Sequence, residues 1–576
     1  MREPIQIVEI DQDFCSLTYG VAPCTAAGIN CHNTLRTCQD TANYDPQPLT
    51  LRFAKPSDSL DEYSEYILPF LASVSTSPAE ISVGGINSDI DALGRRASLS
   101  VTFKDSPHSD RVVDKYIDQR SYDAIKRGTF WSKWLARNPY YKNRAVRVLD
   151  GVAGQPLAEM QPRSYIIESI DGPNSSGAVN LKAVDILKKA DGKKSQAPIA
   201  TDAELVIAID DVVTSFDIQN ITVSELPSSG TVRIDDEVMT YSGVTDNTTY
   251  LTLTGVVRGT DGTAADTHDA NAAVQPCLRY TNTLCWEIVE DLLVNYAGID
   301  ASFIPSAAWD TEGSTWLSQF TLSALITEPE GVSMLIGEIL EQCLFYIWWD
   351  ERNQLIQMKA VRPATETPTK ITDENNIIAG SISKKVKPEE RASQLWVYYQ
   401  QRDPTQSVDE TKNYEKLRVR IDPAAESSQQ YDERSIKRIY SRWITSDAQA
   451  SNVAARLLNR YISPRQILTF KVDVKDRAVW TGDVIDVTTW QTVDVFGDPI
   501  ETRYQVVSAK EENGETVTYN AIVYDYGGDV GIRYSFILPS TANDYESATQ
   551  AELAKGCFIS NADGKMSDGT DGWIIV

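Results

Sequence analysis

The sequence predicts a mainly β, multidomain protein with a few helices. Its 576 residues exceed the size of one domain and indicate about three to five. Many short segments, such as ASLSVTFKD, alternate apolar and polar residues between turn-forming residues, and this period of two is typical of strands. A hydrophobic fraction of 42% with 26 tyrosines supplies enough apolar surface for several cores. We therefore expect several linked barrels or sandwiches.

The N-terminal segment contains half of the cysteines. Cys15, Cys24, Cys31 and Cys38 are separated by eight, six and six residues, whereas the other four cysteines are scattered along the chain. The segment is too short and too polar to bury much surface, so its order has to come from a cross-link or a bound metal centre. We therefore predict a cysteine-rich module over residues 1–45.

Three occupants of the four thiolates are compatible with the residues. The opening MREPIQIVEI lacks the apolar core of a signal peptide, so we expect a reducing compartment, where clustered cysteines are more often metal ligands than disulfides. Zinc accepts four thiolates, but structural zinc sites usually contain CxxC motifs, which are missing here. The longer spacings favour an iron–sulfur cluster, with zinc and two disulfides as alternatives. His32 either replaces one ligand or is a solvated loop residue.

Residues 46–200 are predicted to form the first part of a larger β domain. Alternating segments, among them YILPFLASV and AEISVGG, indicate strands over about residues 50–110. A helix is expected over residues 122–137, where Phe130 and Trp134 lie one turn apart and Asn138 precedes a proline. Two further strands, RAVRVLDG and RSYIIESIDG, precede a short predicted helix at residues 183–189.

Residues 201–278 are predicted to be a small β-sandwich inserted into the larger domain. The text GTVRIDDEVMTYSG alternates apolar and polar residues, and glycines punctuate the turns that follow. Asp261, Asp266 and His268 indicate either a metal site or, more simply, polar residues that form turns.

Residues 279–375 are predicted to mix helices and strands. Two segments carry apolar residues at helical spacing and place Cys285 and Cys343 on buried stripes, which makes both of them small core residues. The segments LFYIWW and QLIQMKAV flank the polar turn DERN and predict a hairpin.

Residues 376–540 are predicted to form a second β domain, followed by a C-terminal segment over residues 541–576. A capping box places the start of its helix at Ser446. The C-terminal segment contains three acidic residues in a pattern that resembles a calcium loop, Asp563, Asp568 and Asp571. They lack the spacing of an EF-hand, so a glycine-rich turn is the alternative.

Charge and composition limit the function. A net charge of −27 argues against a protein that wraps nucleic acid. It is typical either of an ordinary acidic protein or of a conduit through which DNA slides without adhering. The chain has three histidines and no GxSxG, HExxH or P-loop pattern, so we do not expect an enzyme. No apolar run is long enough to span a bilayer.

Four segments resemble proteins of the phage tail. The stretch from RRASLSVTFKD to RAVRVLDG resembles the tube-forming domain of tail-tip hub proteins from long-tailed phages. The stretch GTVRIDDEVMTYSGV…VVRGTDGTAADTH is similar to a small β module of phage tail proteins, and AVWTGDVIDVTTW, with its Gly482-Asp483 turn, resembles later hub domains. The cysteine segment looks like the iron–sulfur module of lambda-like tail-tip proteins, although there it ends a separate small protein. That resemblance implies a [4Fe–4S] cluster whose ligands are Cys15, Cys24, Cys31 and Cys38.

The same resemblance implies a structural virion protein, the baseplate or tail-tip hub of a siphovirus with a long non-contractile tail. It implies a homotrimer with two tube-like domains per subunit, assembled in the host cytoplasm. Its implied partners are the distal tail protein, the tape-measure protein and the central fibre, while DNA only passes through the lumen. Two other classes are a tail-associated cell-wall hydrolase, for which we find no catalytic pair, and a receptor-binding adhesin, which usually carries repeats.

Overall fold

The computed structural model describes residues 3–58, 60–61, 63–83, 93–191, 195–512 and 515–524. Strands make up 39% and helices 18% of the chain, and the predicted mainly β, multidomain class is confirmed. Within the described ranges, no helix is long and apolar enough to cross a membrane. The predicted C-terminal calcium loop or turn, with Asp563, Asp568 and Asp571, lies outside the described residues.

An eight-stranded sheet occupies the N-terminal part of the chain. Its strands are β1 (Pro4–Cys15), β2 (Pro46–Phe53), β3 (Ile67–Leu68), β4 (Leu71–Ser77), β5 (Ser98–Lys104), β6 (Ala145–Val152), β7 (Gln161–Asp171) and β8 (Ala178–Val184). They lie side by side in the order β3-β2-β1-β6-β7-β8-β5-β4. β2 and β3 are parallel, whereas β1 is antiparallel to both of its neighbours.

The two edges of this sheet lie next to each other. β3 and β4 are at opposite edges, yet Pro69 and Phe70 alone separate them along the chain. The carbonyl of Phe70 accepts a hydrogen bond from Lys104 at 2.8 Å, and the N–H of Leu71 donates to Ala54 at 3.1 Å. The sheet is therefore curled around its interior, and we call it the first curled sheet.

Helix α1 (Phe130–Arg137) fills the interior of the first curled sheet. Trp131 is fully buried, with its ring centroid 5.3 Å from that of Phe53 and 4.7 Å from that of Phe103. Aromatic pairs at these distances contribute beyond the apolar area they bury. The helix is shorter than predicted, because the carboxylate of Asp105 accepts the N–H of Trp131 at 2.9 Å and fixes its first turn.

Three other sequence expectations differ from the first curled sheet. Residues 4–15 of the predicted cysteine-rich module form β1, which lies between β2 and β6 in this sheet, so the cysteines after Cys15 lie in the loop between β1 and β2, here named the cysteine loop (residues 16–45). The helix predicted at residues 183–189 is wrong at its start, because Ala183 pairs with Leu99 inside the sheet. The predicted strand AEISVGG contributes one bridge, between Glu80 and Arg95.

Residues 201–278 form two small sheets around a core of their own. β9 (Gln196–Ala197) precedes this part and pairs with residues 330–331. The strands of this part are β10 (Glu204–Leu205), β11 (Ser215–Gln219), β12 (Gly230–Ile234), β13 (Glu237–Tyr241), β14 (Gly243–Asp246), β15 (Leu251–Thr254) and β16 (Val274–Pro276). One sheet has the order β10-β11-β15-β14 and the other β13-β12-β16. We call this region the inserted unit.

The next part packs helices against short strands. Its elements are β17 (Leu278–Leu284), α2 (Cys285–Asp291), α3 (Ser306–Trp316), β18 (Thr321–Ile326), β19 (Glu330–Gly331), α4 (Val332–Cys343), β20 (Phe345–Asp350) and β21 (Leu355–Ala360). β20 and β21 form the predicted hairpin. Cys285 and Cys343 are buried in one apolar core, as predicted.

A second curled sheet follows, together with a smaller sheet. The elements are β22 (Thr369–Thr372), β23 (Ser383–Lys387), β24 (Gln394–Gln401), β25 (Tyr414–Ile421), β26 (Ile436–Tyr440), α5 (Asp447–Tyr461), β27 (Arg465–Asp473), β28 (Val484–Val493), β29 (Pro499–Glu512) and β30 (Thr516–Val523). The second curled sheet has the order β22-β28-β29-β30-β27-β23, and the small sheet has the order β25-β24-β26.

The edges of the second curled sheet are also joined by a short link. Residues 373–382 lead from β22 at one edge to β23 at the other. Within this link, Ile377 donates to Thr372 at 3.1 Å and Ile378 donates to Lys471 of β27 at 2.9 Å. In both curled sheets of the described residues, a short link therefore joins the two edge strands.

The β20–β21 hairpin contacts both curled sheets. On one side, the indole of Trp349 donates to the carbonyl of Ser164 in β7 at 2.9 Å. On the other, Gly482 lies against the ring of Trp348, with φ at +97°, and a Cβ added there would be 2.6 Å from a ring carbon. The carboxylate of Asp483 accepts the N–H of Trp480 at 2.8 Å and closes the Gly-Asp turn. The glycine is therefore required by the approach of the hairpin.

Replacing Gly482 with Ala is expected to lower the thermal unfolding midpoint of the full chain. The new methyl group meets the Trp348 ring while the backbone stays in the left-handed region, which together cost about 2 to 4 kcal/mol. Differential scanning calorimetry measures the change.

Gly380→Ala is the matched control, because Gly380 has φ at +76° and no atom within 4 Å of an added Cβ. It is expected to cost about 1 kcal/mol from the backbone alone. Equal midpoints for the two variants would contradict a contribution from the Trp348 contact.

Candidate functional site

The four N-terminal cysteines line one concavity. Cys15 ends β1, Cys24 and Cys31 lie in the cysteine loop, and Cys38 follows a short 3₁₀ turn over Leu35–Thr37. The concavity is also lined by Tyr44. The structure thus brings together residues that spacing alone placed in one segment.

The thiols are close enough to influence each other. Burial raises the pKa of the Cys31 thiol, the backbone N–H of Asn33 lowers it, and the charges of Cys38, Cys15 and Cys24 raise it again. Within the described residues, no three His, Cys, Asp or Glu side chains form a group that could hold a single metal ion.

Two buried polar atoms of residues that line this concavity have no hydrogen-bond partner in the described chain, the amide oxygen of Asn33 and the hydroxyl of Tyr44. The pKa of the Tyr44 hydroxyl is raised to about 12 by burial and then by the nearby charges of Asp13, Cys15 and Cys38. A buried donor of this kind needs an acceptor. Sulfur atoms of a bound cluster are acceptors of the right chemistry, so four thiols and this hydroxyl fit an iron–sulfur group.

The cysteine loop is anchored to the first curled sheet by a buried ion pair. The guanidinium of Arg120 contacts the carboxylate of Asp114 at 2.9 Å. It also donates to the carbonyls of Asn30 at 2.6 Å and Cys31 at 2.8 Å. Burial favours the neutral acid, but hydrogen bonds from His32 and Arg120 hold the pKa of Asp114 well below its usual range.

His32 belongs to this anchor. Its Nδ1 lies 3.4 Å from Asp114 and 3.2 Å from the guanidinium of Arg120. A second contact ties down the start of the loop, because the ammonium of Lys115 donates to the carbonyl of Cys15 at 2.9 Å. The loop is therefore held from residues 114–120, and the prediction of a solvated loop histidine is wrong.

The three residues considered as a metal site in the inserted unit are not brought together as ligands. Asp261 forms an ion pair with Arg279 at 2.6 Å. His268 is buried and lies between two carboxylates that the sequence reading missed, with Nδ1 2.8 Å from Asp235 and Nε2 2.9 Å from Glu237. The segment DDE reads as a polar turn, so no local signal identifies Glu237.

Glu237 is the centre of the inserted unit and is 1% exposed. Its carboxylate accepts hydrogen bonds from Arg258 at 2.7 and 2.8 Å, and from the N–H groups of Gly259 at 2.8 Å and Asp266 at 3.0 Å. Burial raises its pKa, but these donors and His268 lower it to about 2. The RGT…DTH segment therefore surrounds the Glu237 carboxylate and has a structural role.

Part of the chain matches a known protein family. Residues 335–495, from α4 to the end of the β28 strand and its turn, match the family model described as a putative phage tail protein. The predicted resemblance to phage tail proteins is confirmed. No curated protein matches the chain, and no catalytic family is indicated.

Several solved structures have a related but distant fold. The 43 kDa tail protein of prophage MuSo2 from Shewanella oneidensis has 9% identity and a TM-score of 0.36, and the match covers 79% of this chain and 99% of that one. A tail protein from Neisseria meningitidis MC58 has 9% identity, a TM-score of 0.34, and coverages of 78% and 97%. Prophage tail protein gp18 from Listeria monocytogenes has 10% identity, a TM-score of 0.31, and coverages of 77% and 87%.

Replacing Glu237 with Gln is expected to destabilise the inserted unit by about 2 to 4 kcal/mol, because Arg258 loses its buried counter-charge. Hydrogen exchange in β12 and β13 measures the loss.

The pKa of about 2 for Glu237 also predicts how the stability of the wild-type inserted unit depends on pH. Its protection from hydrogen exchange is expected to be complete above pH 4.5 and to decrease as the pH falls toward 2.

Glu328→Gln serves as the control, because this carboxylate is 66% exposed and pairs with Arg233 at 3.4 Å on the outside of the same unit. Exposed pairs contribute about 0 to 1 kcal/mol. Similar exchange rates in the two variants would contradict a central role for Glu237.

Proposed function

We propose that the chain is the hub of a phage tail tip, a structural virion protein that acts as a homotrimer. The observation that carries this proposal is the presence of two curled sheets, each with its two edge strands joined by a short link, in the described chain. The family match to phage tail proteins, over residues 335–495, supports it independently.

Two curled sheets per subunit provide a physical route to a six-fold tube. Three subunits that each contribute two comparable β walls present six walls around one axis, which matches the six-fold tail tube that such hubs join. A closed point group of this kind needs one repeated contact between subunits. The trimer closes the distal end of the tube, anchors the end of the tape-measure protein, and opens for DNA ejection.

The acidity of the chain is compatible with this role. A net charge of −27 repels phosphate, so DNA passes a lumen formed by such subunits without adhering. The distal tail protein, the tape-measure protein and the central fibre are the neighbours that this position requires.

We propose further that the cysteine loop holds a [4Fe–4S] cluster. Its ligands are Cys15, Cys24, Cys31 and Cys38, which line one concavity, and the Tyr44 hydroxyl is the donor to its sulfur atoms. When bound, the group supplies a four-point cross-link to a loop with little core of its own. The Asp114–Arg120 pair supports the loop from outside.

The oligomeric state tests the hub proposal. The purified full chain is expected to sediment as a trimer in a concentration-dependent equilibrium, and negative-stain images are expected to show rings with a central channel. A chain that stays monomeric at every concentration, alone and on isolated tails, would sink the proposal.

Iron analysis tests the cluster proposal. Protein purified without oxygen is expected to be brown and to contain about four irons and four sulfides per chain. Cys24→Ser is expected to remove the colour and to increase hydrogen exchange across the cysteine loop, while β5 and β6 stay protected because their core is independent.

Cys277→Ser is the matched control, because Cys277 lies outside the concavity and its loss leaves the four ligands intact. A colourless preparation with one zinc per chain would identify a mononuclear site and overturn the iron–sulfur assignment.

A further inference from the structure

A layer of charged side chains is buried where the turn of the β20–β21 hairpin meets the two curled sheets. The turn supplies Glu351, which is 6% exposed. Its backbone carbonyl accepts the N–H of Ser164 in β7 at 3.1 Å, which ties the turn to the first curled sheet. The next residue, Arg352, donates to the carbonyl of Arg477 at 2.9 Å, in the segment that leads into β28 of the second curled sheet. We call this layer the joint, and its titratable and charged members are Asp150, Arg163, Tyr165, Asp185, Glu351, Arg352, Arg477 and Glu511.

Arg163 is paired on the first curled sheet. It is 4% exposed, and its guanidinium contacts the carboxylate of Asp150 at 2.6 and 2.7 Å and the hydroxyl of Thr76 at 3.1 Å. The same carboxylate accepts the side-chain amide of Gln6 at 2.8 Å. This buried pair is therefore satisfied without Glu351.

Arg352 is held on the side of the second curled sheet. Its guanidinium lies 3.4 Å from the centre of the Trp480 ring, and its ion pair with Glu511 of β29 is long, at 3.8 Å. Arg477 also reaches Glu511, at 3.6 Å. The charges of the joint therefore pair with one another and leave Glu351 without an ion pair among the residues that the structure describes.

The donor that reaches the Glu351 side chain is a neutral one. The O–H of Tyr165 donates to its carboxyl group at 3.3 Å, which is longer than usual for such a bond. A carboxylate that is buried without a close cation takes up a proton more readily than one in water. Burial accordingly raises the pKa of Glu351 to about 7, although the charges of Arg163 and Arg352 and the bond from Tyr165 lower it. The described residues enclose this side chain by themselves, so these groups determine its environment.

We propose that Glu351 is a proton-dependent latch that holds the turn of the hairpin on the first curled sheet. With its proton, the side chain is a neutral group that fits the buried joint beside Tyr165. Without the proton, it adds a negative charge near that of Asp185, and the carboxylate is better solvated once the turn leaves β7 and water enters. The backbone hydrogen bond between Ser164 and Glu351 is then the contact that opens.

Closure of the latch is expected to weaken as the pH rises. In an open joint the carboxyl group is hydrated and ionises near its ordinary pKa of 4.5, whereas in the closed joint the pKa of Glu351 is about 7. The closed state therefore holds the proton more tightly. Closure is strongest below pH 4.5, weakens between pH 4.5 and pH 7, and changes little above that range. Asp185, whose pKa burial raises to about 6, adds a dependence of the same sign.

The latch is a property of a single chain and does not depend on the proposed trimer. Its consequence for a hub rests on the proposed function. The joint lies between the two curled sheets, so its release changes how the two β walls of one subunit are held together, which is a step by which a ring opens.

Hydrogen exchange of the full-length protein between about pH 5 and pH 8 tests the latch. Protection factors, which correct for the intrinsic pH dependence of exchange, are expected to fall about tenfold or more in peptides from β7 and the hairpin turn. Glu351→Gln is expected to remove most of this decrease, because the amide has a similar size and does not ionise. Glu328→Gln is the matched control and is expected to keep the wild-type decrease, because Glu328 is 66% exposed and lies outside the joint.

Infrared spectroscopy follows the proton itself. The wild type is expected to show the carbonyl band of a protonated carboxylic acid that disappears as the pH rises through about 7, and Glu351→Gln is expected to lack this step. Tyr165→Phe is expected to move the step to higher pH, because it removes the hydrogen bond that lowers the pKa of Glu351. A separate step from Asp185 is expected to remain in both variants.

The outcomes separate the latch from the hub proposal. Protection of β7 and the turn that does not change with pH, or an infrared spectrum without the Glu351 step, would overturn the latch whatever the oligomeric state. Both signals in a chain that stays monomeric would establish the latch and leave the hub without support. A pH-dependent decrease that Glu351→Gln leaves unchanged would assign the effect to another group and also contradict the inference.

Discussion

The first curled sheet depends on a two-residue connection. Pro69 and Phe70 take the chain from one edge of eight strands to the other, so the edges have to meet and the sheet has to curl. Curling creates the interior that α1 fills with Trp131. The second curled sheet reaches the same result with a longer link, and the β20–β21 hairpin lies between the two.

Local patterns in the sequence predicted individual strands and helices better than they predicted which of these elements contact each other. Alternation identified most strands, and the hairpin of residues 345–360 followed from two β-prone arms around a polar turn. The role of β1 was hidden, because its partner β6 lies far along the chain and no local period records that pairing. The start of α1 also depends on a distant residue, because the carboxylate that caps the helix comes from Asp105.

The same distinction applies to the candidate site. Spacing grouped the four cysteines correctly, because residues in one short loop are confined to a small volume. The anchor that orients the loop comes from Asp114 and Arg120, which the sequence did not connect with it. In the inserted unit, the RGT…DTH segment could be recognised from the sequence. The carboxylate that its residues contact belongs to Glu237, which lies in a stretch typical of a turn.

The position of β1 between β2 and β6 has a consequence for biosynthesis. β1 and the cysteine loop are made before β6 (Ala145–Val152), and β1 completes its pairing only when β6 has been made. At about 5–20 residues per second, the delay is about ten seconds. For part of this interval the cysteine loop lacks its anchor, because Asp114 and Arg120 have not yet been added to the chain. The first curled sheet and the cysteine loop therefore become ordered in steps that the pairing of a single strand sets.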